Sequence, residues 1–348
     1  MKRADEGLAF LLRYENVAWY ENGHVKILDR RIYPVEINYV VCNSHKDVAK
    51  AIADMVTQSG GPYFAAGMGM ALACYEAKDI NTDEKYINYL KDAAYTLSHA
   101  RPTTQARMVQ VTERCLKVIE EEIKNGTSRN EMPEKVKENT IITRNKDIEK
   151  SDRCAFYLAE QIPNNGIVMT QCFAETIIGT LIRECHRQGK EIKFICPETR
   201  PYYQGARLTA SVAYDMGVDT TVITDNMPAY TMKQKNVDVF TAAADVVTMD
   251  GYVVNKVGTF QIALAASYWG IPFFCTGYPN PKHPTIDTVK IEERDQNLVL
   301  ESMGKKHTLD GIKAYYPAFD ITPPKLVDGF VTEKGIISPY NLKHLFDE

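Results

Sequence analysis

From Pro163 onward the chain alternates short β-branched runs with amphipathic segments of helical spacing, and no other feature restricts its fold as much. Residues 166–171, 192–196, 220–224, 237–241 and 271–276 read as strands, and the segments between them end at Gly189, Gly217 and Gly270, where glycine stops a helix. Strands separated by helices pair in parallel and are covered on both faces. Ligands of such sheets lie beyond the carboxyl ends of the strands, where the winding direction reverses. The residues just after the strands are therefore the functional candidates.

Residues 1–163 have a different texture. A short β-like opening, residues 17–19 and 25–28 around the turn Glu21-Asn22-Gly23, precedes a series of apolar stripes. Val48, Ala51, Ile52, Met55 and Val56 form the first, and Tyr86, Leu90, Ala93 and Leu97 the second. Met108, Val111, Cys115, Val118 and Ile119 form the third, and Ile148, Ala155 and Leu158 the fourth, all at helical spacing. Asn125-Gly126-Thr127-Ser128 and Met132-Pro133 interrupt them, because Gly and Pro do not propagate a helix there. The expected architecture is α/β: a small β plus helical N-terminal domain over residues 1–163, then a Rossmann-like doubly wound parallel-sheet domain over residues 164–348. A length of 348 residues exceeds the ~250 at which single cores stop growing, which fits two units.

Charge narrows the function classes. Lys and Arg number 41 against 45 Asp and Glu, a net −4, and the cations are scattered, so the basic stripe that nucleic acid requires is missing. No apolar run approaches the ~18 residues of a membrane span. The opening, with Asp5, Glu6 and Glu15 and no small-residue cleavage site, is unlike a signal peptide. Eight cysteines without a CxxC pair fit neither a disulfide framework nor a zinc site. The expectation is a cytoplasmic protein with no nucleic-acid or membrane partner.

Two strand-end residues stand out. Cys172 follows one strand and precedes the helix-like AETIIGTLIREC, a position where a helix N-terminus would stabilise a thiolate; the alternative is a small, inert buried thiol. Asp245 follows another strand in an apolar stretch, and is either a chemical group or a turn or N-cap residue. Arg200 lies just after the strand IKFIC, Gln204 and Arg207 open the next helix, and Asn255-Lys256 begins another after a strand. Cations and N–H groups at helix starts suit an anion, phosphate above all, although any one of them could be a solvated surface charge. Three strand-end cationic positions in one sheet favour the anion.

The segments CPETRPYYQGARLTASVAYDMGVDTTVITDNMPAYTM, AAADVVTMDGYVVNKVGTFQIAL, IEERD and YYPAFDITPPKLVDGFVTEKGII, with VKILDRRIYPVEINYV near the start and ARPTT in the middle, resemble the methylthioribose-1-phosphate isomerase family. That family is related to the regulatory subunits of the guanine-nucleotide exchange factor of eukaryotic translation initiation. The resemblance covers nearly the whole chain in order. It implies a homodimer that converts a ribose 1-phosphate to a ribulose 1-phosphate with no metal and no cofactor. It places the family's catalytic cysteine and aspartate on Cys172 and Asp245, a pair the non-catalytic relatives generally lack. It also implies that Gly60, Gly61, Arg101, Arg200, Gln204, Arg207, Asn255 and Lys256 hold the phosphate and hydroxyls of the sugar, and that an apolar setting keeps Asp245 protonated so that it can donate to the ring oxygen.

The chain departs from the family's pattern at three places. The R-G-A-P segment is here Ser59-Gly60-Gly61-Pro62, so an arginine becomes Ser59, and H-C-N-A-G is here Gln171-Cys172-Phe173-Ala174-Glu175, which introduces Phe173 and Glu175. An arginine is lost and an acid gained near the expected anion site. Either neighbours compensate, or the sugar differs from methylthioribose 1-phosphate in its 5-substituent or phosphate placement.

Overall fold

Around Glu21-Asn22-Gly23 the chain builds a hairpin, β1 (Trp19–Glu21) and β2 (His24–Leu28), antiparallel with Glu21 opposite His24. Asn22 and Gly23 turn it with φ of +48° and +80°, the left-handed pair that a two-residue turn between twisted strands requires. β3 (Tyr39–Cys42) completes the small sheet against β2. The structure, a computed structural model, describes residues 3–101 and 105–346. It divides into two units, Met1–Glu149 and Lys150–Glu348.

The first unit sets helices around this sheet: α1 (Tyr14–Val17), α2 (His45–Ala53), α3 (Gly61–Glu76), α4 (Asp83–Ser98), α5 (Gln105–Lys124) and the start of α6 (Met132–Ala159). α2 opens on a capping box, in which Ser44 Oγ accepts from the Asp47 N–H and the Asp47 carboxylate accepts from the Ser44 N–H, satisfying donors the helix cannot. α2, α4, α5 and α6 carry the four stripes anticipated above. α3 has no stripe because residues Phe64 to Cys74 are buried all round, and a helix apolar on every face has no period to read.

The second unit is wound on a seven-stranded, mostly parallel sheet. In chain order come β4 (Gly166–Met169), α7 (Thr176–Arg187), β5 (Ile192–Pro197), a wide π-helical turn (Gly205–Thr209) leading into α8 (Ala210–Asp215), β6 (Asp219–Ile223), α9 (Pro228–Lys235) and β7 (Val239–Ala243). Then follow β8 (Val246–Val247), β9 (Val253–Lys256), α10 (Thr259–Trp269), β10 (Phe273–Thr276) and α11 (Asn297–Leu300). The hairpin β11 (Glu301–Ser302) and β12 (Lys305–Lys306), then β13 (Phe319–Thr322), β14 (Gly329–Thr332) and β15 (Gly335–Ile337), complete it. The sheet order is β15-β14-β10-β7-β4-β5-β6, with only β15 antiparallel to its neighbour. All five strands read from the sequence lie in it. The winding starts at β4, runs out through β5 and β6, then crosses back to β7, so the reversal falls between the neighbours β4 and β7. Beneath it Met169, Ile195, Phe240, Phe273 and Phe330 form the core, with Phe240 and Phe273 stacked at 4.3 Å. Burial of each such side chain contributes roughly 1.5–3 kcal/mol and fixes where the strand ends emerge. β8, β9 and β13 form a separate antiparallel sheet. Among the described residues no helix is long and apolar enough to cross a membrane.

Candidate functional site

The reversal delivers the two chemical candidates to one end of the sheet. Cys172 follows β4 and Asp245 follows β7, and because these strands are adjacent and parallel, with Met169 opposite Phe240, their exits are neighbours. Cys172 sits in the left-handed region at φ +58°, a conformation that needs support in a residue with a Cβ. Support comes from both sides of its peptide plane: its N–H donates to Thr199 Oγ1 at 3.2 Å, and its carbonyl accepts from the Thr209 hydroxyl. Gln171 ties the same loop to the turn before α10 through Nε2, which donates to the Val257 carbonyl at 3.1 Å.

The anticipated thiolate is corrected. α7 begins only at Thr176, after Glu175 at φ +49°, and burial pushes the Cys172 thiol up to about 11, helped by the Asp245 charge and opposed by Lys256, the Phe173 N–H and Arg294. Desolvation outweighs the cations, so the resting group is a neutral thiol at pH 7. Iodoacetamide labelling of Cys172, read by peptide mass spectrometry, is expected to be slow at pH 7 and to rise about tenfold per pH unit up to pH 9.5. A rate that is already level near pH 7 would contradict the suppressed thiolate.

The apolar setting expected for Asp245 is also corrected, since the residue is exposed. It lies in the short link between β7 and β8, its N–H donating to the Val254 carbonyl at 2.9 Å. Asn255 and Lys256 end β9, and so belong to the antiparallel sheet and not to the parallel one, which replaces the expectation of three cations on a single sheet. Lys256 is 4% exposed, its ammonium 5.1 Å from the Phe319 ring centroid and 6.0 Å from that of Tyr316, where aromatic faces offset part of the cost of burying a cation. Asn255 Nδ2 donates to Thr259 Oγ1 at 3.0 Å. Its register partner Asp320 accepts from the Gly258 and Phe260 N–H groups at 2.7 and 3.1 Å, serving as the cap that Gly258 cannot supply. Burial raises the Asp320 carboxyl to about 6 against those hydrogen bonds and against Lys256.

The remaining candidates divide. Gln204 is buried, its Oε1 without a hydrogen-bond partner among the described residues, and it leads into the π-helical turn that carries Arg207. Arg200 is engaged in holding chain: its guanidinium donates to the Tyr203 hydroxyl and to the carbonyls of Leu298, Val299 and Glu301. Phe173 and Glu175 are both buried. Ser59, Gly60, Gly61 and Arg101 belong to the first unit. There Ser59 has φ +58° and Gly60 caps α3, and a Cβ on Gly61 would fall 1.9 Å from Thr57 Oγ1 and 3.1 Å from Arg30 Nη1, reason enough for a glycine. The Pro102-Thr103-Thr104 part of ARPTT lies outside the described residues.

Arg294 and Tyr316 were missed. Arg294 was within view as part of IEERD, but neither strand-end position nor helix start singled it out, because it lies in an irregular segment. Both bear on Cys172: Arg294 favours its thiolate, and Tyr316, itself raised by burial, feels both the Cys172 and the Arg294 charge. Among the described residues no group of three or more His, Cys, Asp or Glu could hold a metal ion.

Fold and site together define a Rossmann-like α/β protein in which a cysteine and a carboxylate follow the two strands flanking the winding reversal. Residues 62–339 match the Initiation factor 2 subunit family, and the chain belongs to that family. It is 34% identical to a methylthioribose-1-phosphate isomerase of Thermosipho africanus over 92% of this chain and 95% of that protein. Among solved structures, a 5-methylthioribose 1-phosphate isomerase from Pyrococcus horikoshii superposes with a TM-score of 0.83 at 30% identity, covering 95% of this chain and 96% of that one. The translation initiation factor eIF-2B, subunit delta, from A. fulgidus superposes with a TM-score of 0.81 at 29% identity, covering 93% and 96%.

Proposed function

We propose that this protein is a sugar-phosphate isomerase that converts methylthioribose 1-phosphate, or a relative altered at C5, to the corresponding ribulose 1-phosphate, as a cytoplasmic homodimer using no cofactor. The observation that carries this reading is that Cys172 and Asp245 leave adjacent parallel strands at the point where the winding reverses, alongside relatives named as isomerases of that substrate that match over nearly their whole length.

The chemistry follows from the substrate. A ribose 1-phosphate holds C1 as an acetal, so no free aldehyde exists to enolise and the ring must open first. Asp245 donates a proton to the ring oxygen as the C1–O bond breaks. With no apolar setting to hold it, that proton is drawn from solvent, which the exposed Asp245 reaches before the sugar closes over it. C1, now oxocarbenium-like, receives hydrogen from C2, either as a direct hydride or as a proton relayed by Cys172. A thiol held near 11 is protonated at pH 7, so the relay requires Cys172 first to lose its proton to solvent, with Lys256 and Arg294 favouring the thiolate. The thiolate then takes the C2 proton as the C2–H electrons form the C1–C2 double bond, and returns it to C1 as the C2 hydroxyl loses its proton to give the ketone. Lys256, Asn255, Gln204 and Arg207 bind the sugar and phosphate and fix the geometry of transfer. Phe173 and Glu175 bear on which 5-substituent is accepted.

The likeness to the A. fulgidus initiation-factor subunit supports a second reading, a sugar-phosphate-sensing or scaffold protein without turnover. Proton NMR of the protein with methylthioribose 1-phosphate, 5-deoxyribose 1-phosphate, ribose 1-phosphate and ribose 1,5-bisphosphate separates the two. Appearance of a ketose 1-phosphate from any of them is the expected result, and binding without conversion of all four would favour the scaffold.

A further inference from the structure

Arg294 is a largely enclosed cation near Cys172 to which the reading above gives no contact with the sugar. Its side chain is 11% exposed and its Nε donates to Glu292 Oε1 at 2.8 Å. The other Glu292 oxygen, Oε2, is buried without a hydrogen-bond partner among the described residues, so the carboxylate takes one edge of the guanidinium and does not clasp the fork. The guanidinium carbon lies 5.8 Å from the Tyr202 ring centroid and 5.6 Å from that of Phe319. Phe319 also carries the Lys256 ammonium at 5.1 Å. Two cations thus share one aromatic wall, and both favour the Cys172 thiolate.

Like charges gathered away from water repel each other. Glu292 answers Arg294 through one oxygen only, and the Asp320 carboxylate that Lys256 feels is engaged on the N–H groups at the start of α10, so an anionic ligand would complete the balance. The chemistry of the substrate says which anion and where. In a ribose 1-phosphate the phosphate is carried by O1, one bond from the carbon that receives hydrogen, so whatever binds the phosphate must stand next to whatever acts at C1 and C2. Arg294 and Lys256 are the cations that reach Cys172. A guanidinium with its Nε fixed by a carboxylate and its faces held by aromatic rings keeps a planar fork of terminal N–H donors, the geometry that pairs with two phosphate oxygens at once.

We propose that Arg294, oriented by Glu292 and held against Tyr202 and Phe319, is a phosphate-binding residue of this site and works together with Lys256 on the 1-phosphate. The assignment rests on the sugar-phosphate reading for the identity of the ligand, and on the cation pair alone for the binding of an anion. Calorimetry of the full-length protein with methylthioribose 1-phosphate, with dephosphorylated methylthioribose and with inorganic phosphate tests the two apart. Arg294→Met is expected to weaken methylthioribose 1-phosphate and inorganic phosphate by about 10- to 100-fold, and methylthioribose by less than about 2-fold. Arg294→Lys, which keeps the charge but not the fork, should fall between, and replaces the Met variant if that one melts early. Equal losses for the sugar with and without phosphate, or no loss for either, would overturn the assignment. Should the parent bind inorganic phosphate in an Arg294-dependent way yet neither bind nor convert any sugar phosphate, the anion site would stand and the isomerase reading would fall.

Discussion

Cys172→Ser and Asp245→Asn are each expected to lower kcat by about 10²- to 10⁴-fold, the range in which a positioned proton donor or acceptor contributes, with little change in melting temperature. The two substitutions remove chemistry while sparing packing. Serine fits where the thiol is, and the main-chain hydrogen bonds to Thr199 and Thr209 that hold Cys172 at φ +58° do not involve the side chain. A hydroxyl, however, does not ionise within reach of the cations, so a relay through it fails. If hydrogen moves from C2 to C1 as a hydride, the serine variant should keep a larger residue of activity than the asparagine variant, because ring opening still needs the acid. Asp245 is exposed, so its amide counterpart buries nothing new. Parent-like kcat in either variant, on whichever sugar the NMR panel selects, would remove that residue from the mechanism. Loss of activity together with a melting temperature lowered by ten degrees would instead mark a structural role.

The positions of these two residues were legible before any coordinates because period and punctuation are local. Five strands in the second unit announce themselves by β-branched runs and glycine stops, and the parallel-sheet rule then points to their carboxyl ends. What the chain does after β7 was not legible. β8, β9 and β13 are short and pair antiparallel through register contacts such as Lys256 opposite Phe319, a long-range pairing with no local signature, so Lys256 was assigned to the wrong sheet. α3 escaped for the opposite reason: its burial on every face erases the stripe. Environment was least legible of all. Sequence order puts the Cys172 thiol at a helix N-terminus, yet α7 begins several residues later, and the apolar setting that the family resemblance implies for Asp245 is not met because the residue is exposed. Arg294 acquires its place from Tyr202, far off in sequence, and from Phe319, which only the fold brings to it.

The other large effect expected is a packing one with consequences for the site. Gly205 opens the π-helical turn after β5, and a Cβ there would lie 1.8 Å from the Pro197 carbonyl oxygen and 2.9 Å from Thr199 Oγ1. The first contact is to main chain at the end of β5, a strand paired on both sides, which has no rotamer to change, so the turn itself must move. Gly205→Ala is expected to destabilise the protein by about 1–3 kcal/mol, the usual cost of overpacking, and to lower Tm by roughly 2–4 °C for each kcal/mol in a unit of this size. The displacement does not stay local. Gln204 precedes the turn, Arg207 lies within it, Thr209 donates to the Cys172 carbonyl and Thr199 accepts from the Cys172 N–H, so one misplaced turn loosens both ends of the Cys172 peptide as well as two proposed sugar contacts. The variant should therefore lose kcat and raise KM together, even at temperatures where it is fully folded, since a displacement of about 1 Å at a reacting group can cost 10²-fold. Thermal denaturation and steady-state kinetics on the same preparation decide the matter. A Gly205→Ala protein with parent-like Tm and kinetics would mean that the carbonyl of Pro197 yields more readily than this packing allows, and that the geometry around Cys172 is not fixed from β5.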